Sequence, residues 1–133
     1  MKTHWDYSDD DFLHQFADCT FPAELFSHEA HLRYAWIHLH RSGEEEAVNI
    51  VSDSILKYVS HIGARDKYHM TLTVAAVKVV HHFSQKSDSV DFKGFTKEFP
   101  QLKSNFKELV QSHYSFDVFQ SERAKREYLE PDL

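Results

Sequence analysis

Apolar residues recur along the chain at intervals of three and four, the spacing of one face of an α-helix, and few residues interrupt the pattern. Ser8 is placed to cap a first helix, with Asp9, Asp10 and Asp11 in its opening turn and Phe12 and Phe16 on one face. Phe21-Pro22 breaks the pattern. Ser27 then caps a second helix over about 28–41, with Leu32, Ala35, Trp36 and Leu39 as its apolar stripe, and Ser42-Gly43 closes it. A third helix is predicted over about 44–62 through Val48, Val51, Ile55, Tyr58, Val59 and Ile62, with Gly63 as its C-terminal stop.

The segment 70–83 is rich in Thr and Val and has good strand propensity. Its spacing favours a helix: Leu72, Ala75, Ala76, Val79, Val80 and Phe83 fall on one helical face, whereas Ala75-Ala76 and Val79-Val80 break the alternation of a strand. A polar loop over 86–90 leads to a short helix carrying Phe92, Phe95 and Phe99. After Pro100 another carries Leu102, Phe106, Leu109 and Val110 up to His113, and 121–129 forms a last short one. These elements predict an all-α fold: a single-domain helical bundle over 1–133 of about four main helices plus short accessory helices. The acidic first helix and connector, 1–24, pack on its side.

Composition narrows the function classes. Residues 1–30 hold seven acids against Lys2, while the rest of the chain is balanced, so no basic stripe suits nucleic acid. No apolar run approaches the roughly 18 residues of a membrane span, and the acidic start does not read as a signal peptide, so a cytoplasmic protein is expected. The single cysteine, Cys19, allows neither an internal disulfide nor a Cys-rich metal site and reads as a small packed hydrophobe. The anomaly is histidine. There are eleven, and protonating all of them would turn a formal charge of −6 into +5.

Position sorts these histidines. His4 and His14 lie in the acidic N-terminal region and His40, His81 and His82 near helix C-termini, where a solvated imidazole is favourable. His28 and His31, three apart on the first turn of the second helix, share a face. His69 opens the fourth helix and His113 ends the Phe106 helix, and an antiparallel bundle can bring these ends together. A helix N-terminus also favours neutral imidazole, the form that ligates a metal. The expected site is therefore one divalent ion, Zn, Fe, Ni or Cu, held by His28, His31 and His69, with His113 as a fourth ligand or acid/base group and His61 and His38 as possible additions. Tyr68, Arg33 and Tyr114 would orient a substrate, Thr71 and Thr73 would supply hydroxyls, and Arg65 and Lys67 would favour an anionic group. His28-Glu29-Ala30-His31 is one residue too short for a zinc-protease helix, and no Glu-x-x-His pair suggests a di-iron centre.

The segments FSHEAHLRYAW (26–36), HIGARDKYHMTLT (61–73), HYS (113–115) and EPDL (130–133) resemble a family of small His-rich helical bacterial proteins, over about residues 25–133. Ala76 and Lys125 stand where that family commonly has tryptophan and arginine. The resemblance implies one recurring protein type and brings no activity with it.

The leading expectation is a metal-dependent enzyme that activates water or O₂ toward a small polar or anionic substrate. Two alternatives stand beside it: a metal-free ligand-binding or partner-binding helical module, and an association module responding to acid through its histidines.

Overall fold

The computed structural model describes residues 2–133, and among these it is all helical, with no strand. Helix α1 spans Asp9–Ala17, α2 His28–Ser42, α3 Glu44–His61 and α4 Met70–Ser84. Four shorter helices follow: α5 Phe92–Glu98, α6 Gln101–Ser104, α7 Phe106–Gln111 and α8 Glu122–Arg126. Short 3-10 turns at His4–Asp6, Ala23–Leu25 and Arg65–Lys67 complete the connections. No helix among the described residues is long and apolar enough to cross a membrane.

The starts and stops follow local chemistry. Ser8, Ser27, Asp91 and Ser121 each accept a backbone N–H with the side chain at a helix start. Gly43, at φ +84°, and Gly63, at φ +75°, take left-handed conformations that close α2 and follow α3. The predicted helix from Leu102 to His113 divides at Asn105, which leaves helical geometry at φ −129°, ψ 24°. This bend lets Leu102 and Phe106 sit separately against the start of α2.

Helices α2, α3 and α4 pack mutually, and α2 is enclosed well beyond its predicted stripe: Ala30, Arg33, Tyr34 and Ile37 are buried along with Leu32, Ala35, Trp36 and Leu39. Helix α4 is enclosed in the same way. Val74 and Val77 are buried, while Leu72, Val79 and Phe83 on the predicted face are only partly covered. Ile62, expected inside, is 40 % exposed.

The first helix is part of the core rather than an attachment to it. Phe12 and Phe16 are fully buried, Phe16 stacks on Tyr58 at 4.3 Å between centroids, and the Tyr58 hydroxyl donates to the carbonyl of Phe21 at 2.5 Å. Each such aromatic contributes about 1.5–3 kcal/mol through burial.

The apolar interior falls into two clusters. The larger gathers α1 to α6, and a smaller one comprises Ala75, Val110, Tyr114, Val118 and Ala124, with α4, α7 and α8 around it. Val79 and Phe106 touch both.

Candidate functional site

The hydrogen bonds of the predicted ligand histidines send them apart. His69 is the N-cap of α4: its Nδ1 accepts the N–H of Leu72 at 3.1 Å, and its Nε2–H therefore donates to the carbonyl of Val118 at 3.0 Å. Both ring nitrogens are committed, and no lone pair is left for an ion. Burial, ahead of smaller opposing contributions, lowers its pKa and favours this neutral form. His28 donates Nε2–H to the carbonyl of Leu102 at 3.1 Å and packs on Phe106, while the His31 ring stacks on Phe26 instead. The shared helical face does not converge the two imidazoles, because α6 and α7 draw one and the turn before α2 holds the other.

His31 Nε2 is shut from solvent with no hydrogen-bond partner, and burial, followed by the charge of His28, pushes its pKa down to about 4. His113 is exposed beyond α7, His61 is exposed at the end of α3, and His38 packs on Tyr34. Among the described residues no three His, Cys, Asp or Glu side chains are grouped to hold one metal ion. The four-histidine constellation expected from topology is not assembled.

Arg33 also differs from its expected role as a substrate-orienting cation. It is 5 % exposed and donates to the carbonyls of His4 and Tyr7, at 2.5 and 2.8 Å, and to Asp9 at 2.8 Å. His4, expected in solvent, is buried beside it: Nε2 donates to Glu29 at 2.7 Å while Nδ1 faces the Arg33 guanidinium at 3.3 Å. Lys103 closes the group on the other oxygen of Glu29 at 2.5 Å. This network ties the N-terminal segment to α2 and α6. A histidine surrounded by acids in sequence gave no hint that Glu29 and Arg33, on adjacent turns of α2, would enclose it.

The hydroxyls are likewise occupied. Thr73 donates to the carbonyl of His69 at 2.7 Å, Thr71 to that of Glu127 at 2.8 Å, and Tyr114 to that of Leu129 at 2.7 Å. Burial first, then the neighbouring Tyr128 phenol and the acids Asp132 and Glu130, pushes the Tyr114 pKa up to about 12. Leu129 N–H returns to Thr71, Asp132 and Leu133 N–H donate to the carbonyl of His113, and Ser115 donates to Asp132 through both N–H and hydroxyl. The segment 127–133 is thus strapped along α4 and the turn after α7. The sequence offered EPDL as a motif and Tyr114 as a candidate, without the contacts joining them.

This strap completes a cavity of about 350 Å³ at the seam between the two apolar clusters. Ala75, Val79 and Phe83 of α4 face Leu109 and Val110 of α7, and Tyr114, Tyr128 and Pro131 close the wall. Lys78, His82 and His113 add nitrogen-bearing side chains, all exposed, and none has a side-chain hydrogen bond or ion pair to another described residue. An apolar lining with a few unengaged polar groups is the usual form of a small-molecule site. His113 and Tyr114 are the predicted residues that it brings together.

Tyr68 lies elsewhere, half-buried between α3 and the start of α4, with its hydroxyl donating to the carbonyl of Ser52 at 3.2 Å. Neither protein-family models, curated proteins nor solved structures give a match to this chain.

Proposed function

We propose that this protein is a metal-free small-molecule-binding helical module, whose site is the cavity between α4 and α7. The observation that carries this reading is the composition of its wall: apolar side chains from both clusters, with Lys78, His82 and His113 making no side-chain hydrogen bond or ion pair among the described residues. An apolar body would replace water against Val79, Phe83 and Leu109, gaining about 25 cal/mol for each Å² of apolar surface buried. The Lys78 ammonium has no carboxylate partner among the described residues and suits an acidic end group. The fitting ligand is a small amphipathic monocarboxylate.

His28, His31, His69 and His113 remain the candidates for metal-dependent chemistry. That reading is weaker here because His69 would have to give up its helix cap to offer a lone pair.

Straight-chain carboxylates from butanoate to decanoate, titrated by calorimetry, test the proposal. Affinity should rise with chain length and then level off when the cavity is full. Val79→Trp, which fills the space from α4, should abolish binding, and Lys78→Met should weaken it about tenfold, equivalent to about 1.4 kcal/mol. Absence of saturable binding across the series, or equal binding to Val79→Trp, would overturn it.

A further inference from the structure

The turn His4–Asp6 and its Thr3 cap are closed by bonds of their own, Thr3 with Asp6 and with the N–H of Trp5. Their ties to the bundle run through one buried ring. His4 donates to Glu29, Arg33 donates to the His4 carbonyl, and Trp5 packs on Phe92 at 5.7 Å between centroids. Tyr7, packed on Phe21 at 5.1 Å, is the natural hinge behind them.

The groups around the His4 ring admit one protonation state. Against the cost of burial, the hydrogen bonds of Lys103 and His4 hold the Glu29 pKa below its ordinary value. An ionised carboxylate only accepts, so His4 Nε2, 2.7 Å from it, carries a hydrogen. A guanidinium only donates, so His4 Nδ1, 3.3 Å from that of Arg33, presents its lone pair. The charges then cancel in pairs: Glu29 of α2 against Lys103 of α6, and Arg33 of α2 against Asp9 of α1. Helices α1 and α5 meet the ring itself with Phe12 and Phe92. A second proton would set an N–H on Nδ1 against the N–H groups of Arg33 and add a positive charge to a balanced, buried group.

We propose that His4 is an acid-sensitive latch: protonation at Nδ1 breaks its fit to Arg33 and releases residues 3–6 from α2 and α5, baring Phe92. Burial, ahead of the opposing hydrogen bond from Glu29, lowers the His4 pKa. A released ring takes up its proton at the ordinary value of about 6.5, so falling pH favours the released segment and rising pH the docked one.

NMR of the full chain between about pH 7.5 and about pH 5 tests this, reading the histidine ring nitrogens and the backbone order parameters together. At the higher pH, His4 should be neutral with its hydrogen on Nε2. Its protonation on acidification should accompany a fall in the order parameters of residues 3–6 from about 0.85 to below about 0.6, while α2, α3 and α4 keep theirs. His4→Gln offers Glu29 an N–H and Arg33 an oxygen but takes no proton, and should hold residues 3–6 equally at both pH values. The ring state and the order parameters are read in the unmodified chain, so they decide the matter whether or not the variant docks its segment. A cationic His4 at the higher pH, protonation of His4 with residues 3–6 still ordered, or a loss of order in His4→Gln that follows pH as in the unmodified chain would overturn the proposal.

Discussion

Acidification from about pH 7.5 to pH 5 should destabilise the protein through His31, and His31→Phe should remove that share of the loss. The ring is held neutral in the folded state, with its pKa lowered from 6.5 to about 4, first by burial and then by the His28 charge. The unfolded chain binds a proton at the ordinary value. Between about pH 4 and 6.5 the unfolded state therefore holds more protons, so the contribution is fully present above that window and is lost as pH falls. The full displacement corresponds to about 3.4 kcal/mol at 1.36 kcal/mol per unit, of which about 2 kcal/mol is lost by pH 5. His31 as a residue is only part-buried, which reduces this to about 1–2 kcal/mol.

Urea unfolding of both proteins at the two pH values isolates the effect, because His4, His38 and His69, whose pKa values are also lowered, are common to both. At the higher pH the phenylalanine variant should be at least as stable, since His31 Nε2 has no bond to lose and the ring stacks on Phe26. Equal losses for the two proteins on acidification would exclude His31 as the source of the effect.

Arg33→Ala should cost about 2–4 kcal/mol in urea unfolding, because it leaves the enclosed carbonyl of His4 and the part-buried carbonyl of Tyr7 without their donor, while Asp9, 45 % exposed, turns to water. His69→Ala should cost about 1–2 kcal/mol, and His69→Asn should recover the capping part alone, since asparagine caps but does not reach Val118 as the imidazole does. Cys19 is the one non-glycine residue with positive φ among those described, at 60°, and Cys19→Gly should raise stability by up to about 1 kcal/mol in thermal unfolding.

The helices were legible because they are encoded locally. Ser8 and Ser27 cap where they stand, Gly43 and Gly63 stop where φ must be positive, and the Ala75-Ala76 and Val79-Val80 pairs exclude strand alternation whatever lies opposite. The side chains surrounding each helix were not legible. Ala30, Tyr34 and Ile37 look like a second face of α2, and only the placement of α1, α3 and α4 around it shows why they are buried. The placement of the histidine rings was not legible for the same reason. His28 and His31 are three residues apart in any helix, but Leu102 and Phe106, 74 and 78 positions after His28, decide where its ring goes. His69 is favoured as a neutral imidazole, as its N-terminal position suggested, but burial leads that shift, and the neutral ring serves a helix cap and Val118.

Isotope-edited NOE measurement on the protein with octanoate decides whether the cavity between α4 and α7 is a ligand site. Contacts from the alkyl chain to the side chains of Val79, Phe83 and Leu109 are predicted, with the carboxylate end nearest Lys78. An octanoate complex showing no contacts to these residues, or contacts confined to other parts of the surface, would rule this cavity out as the ligand site.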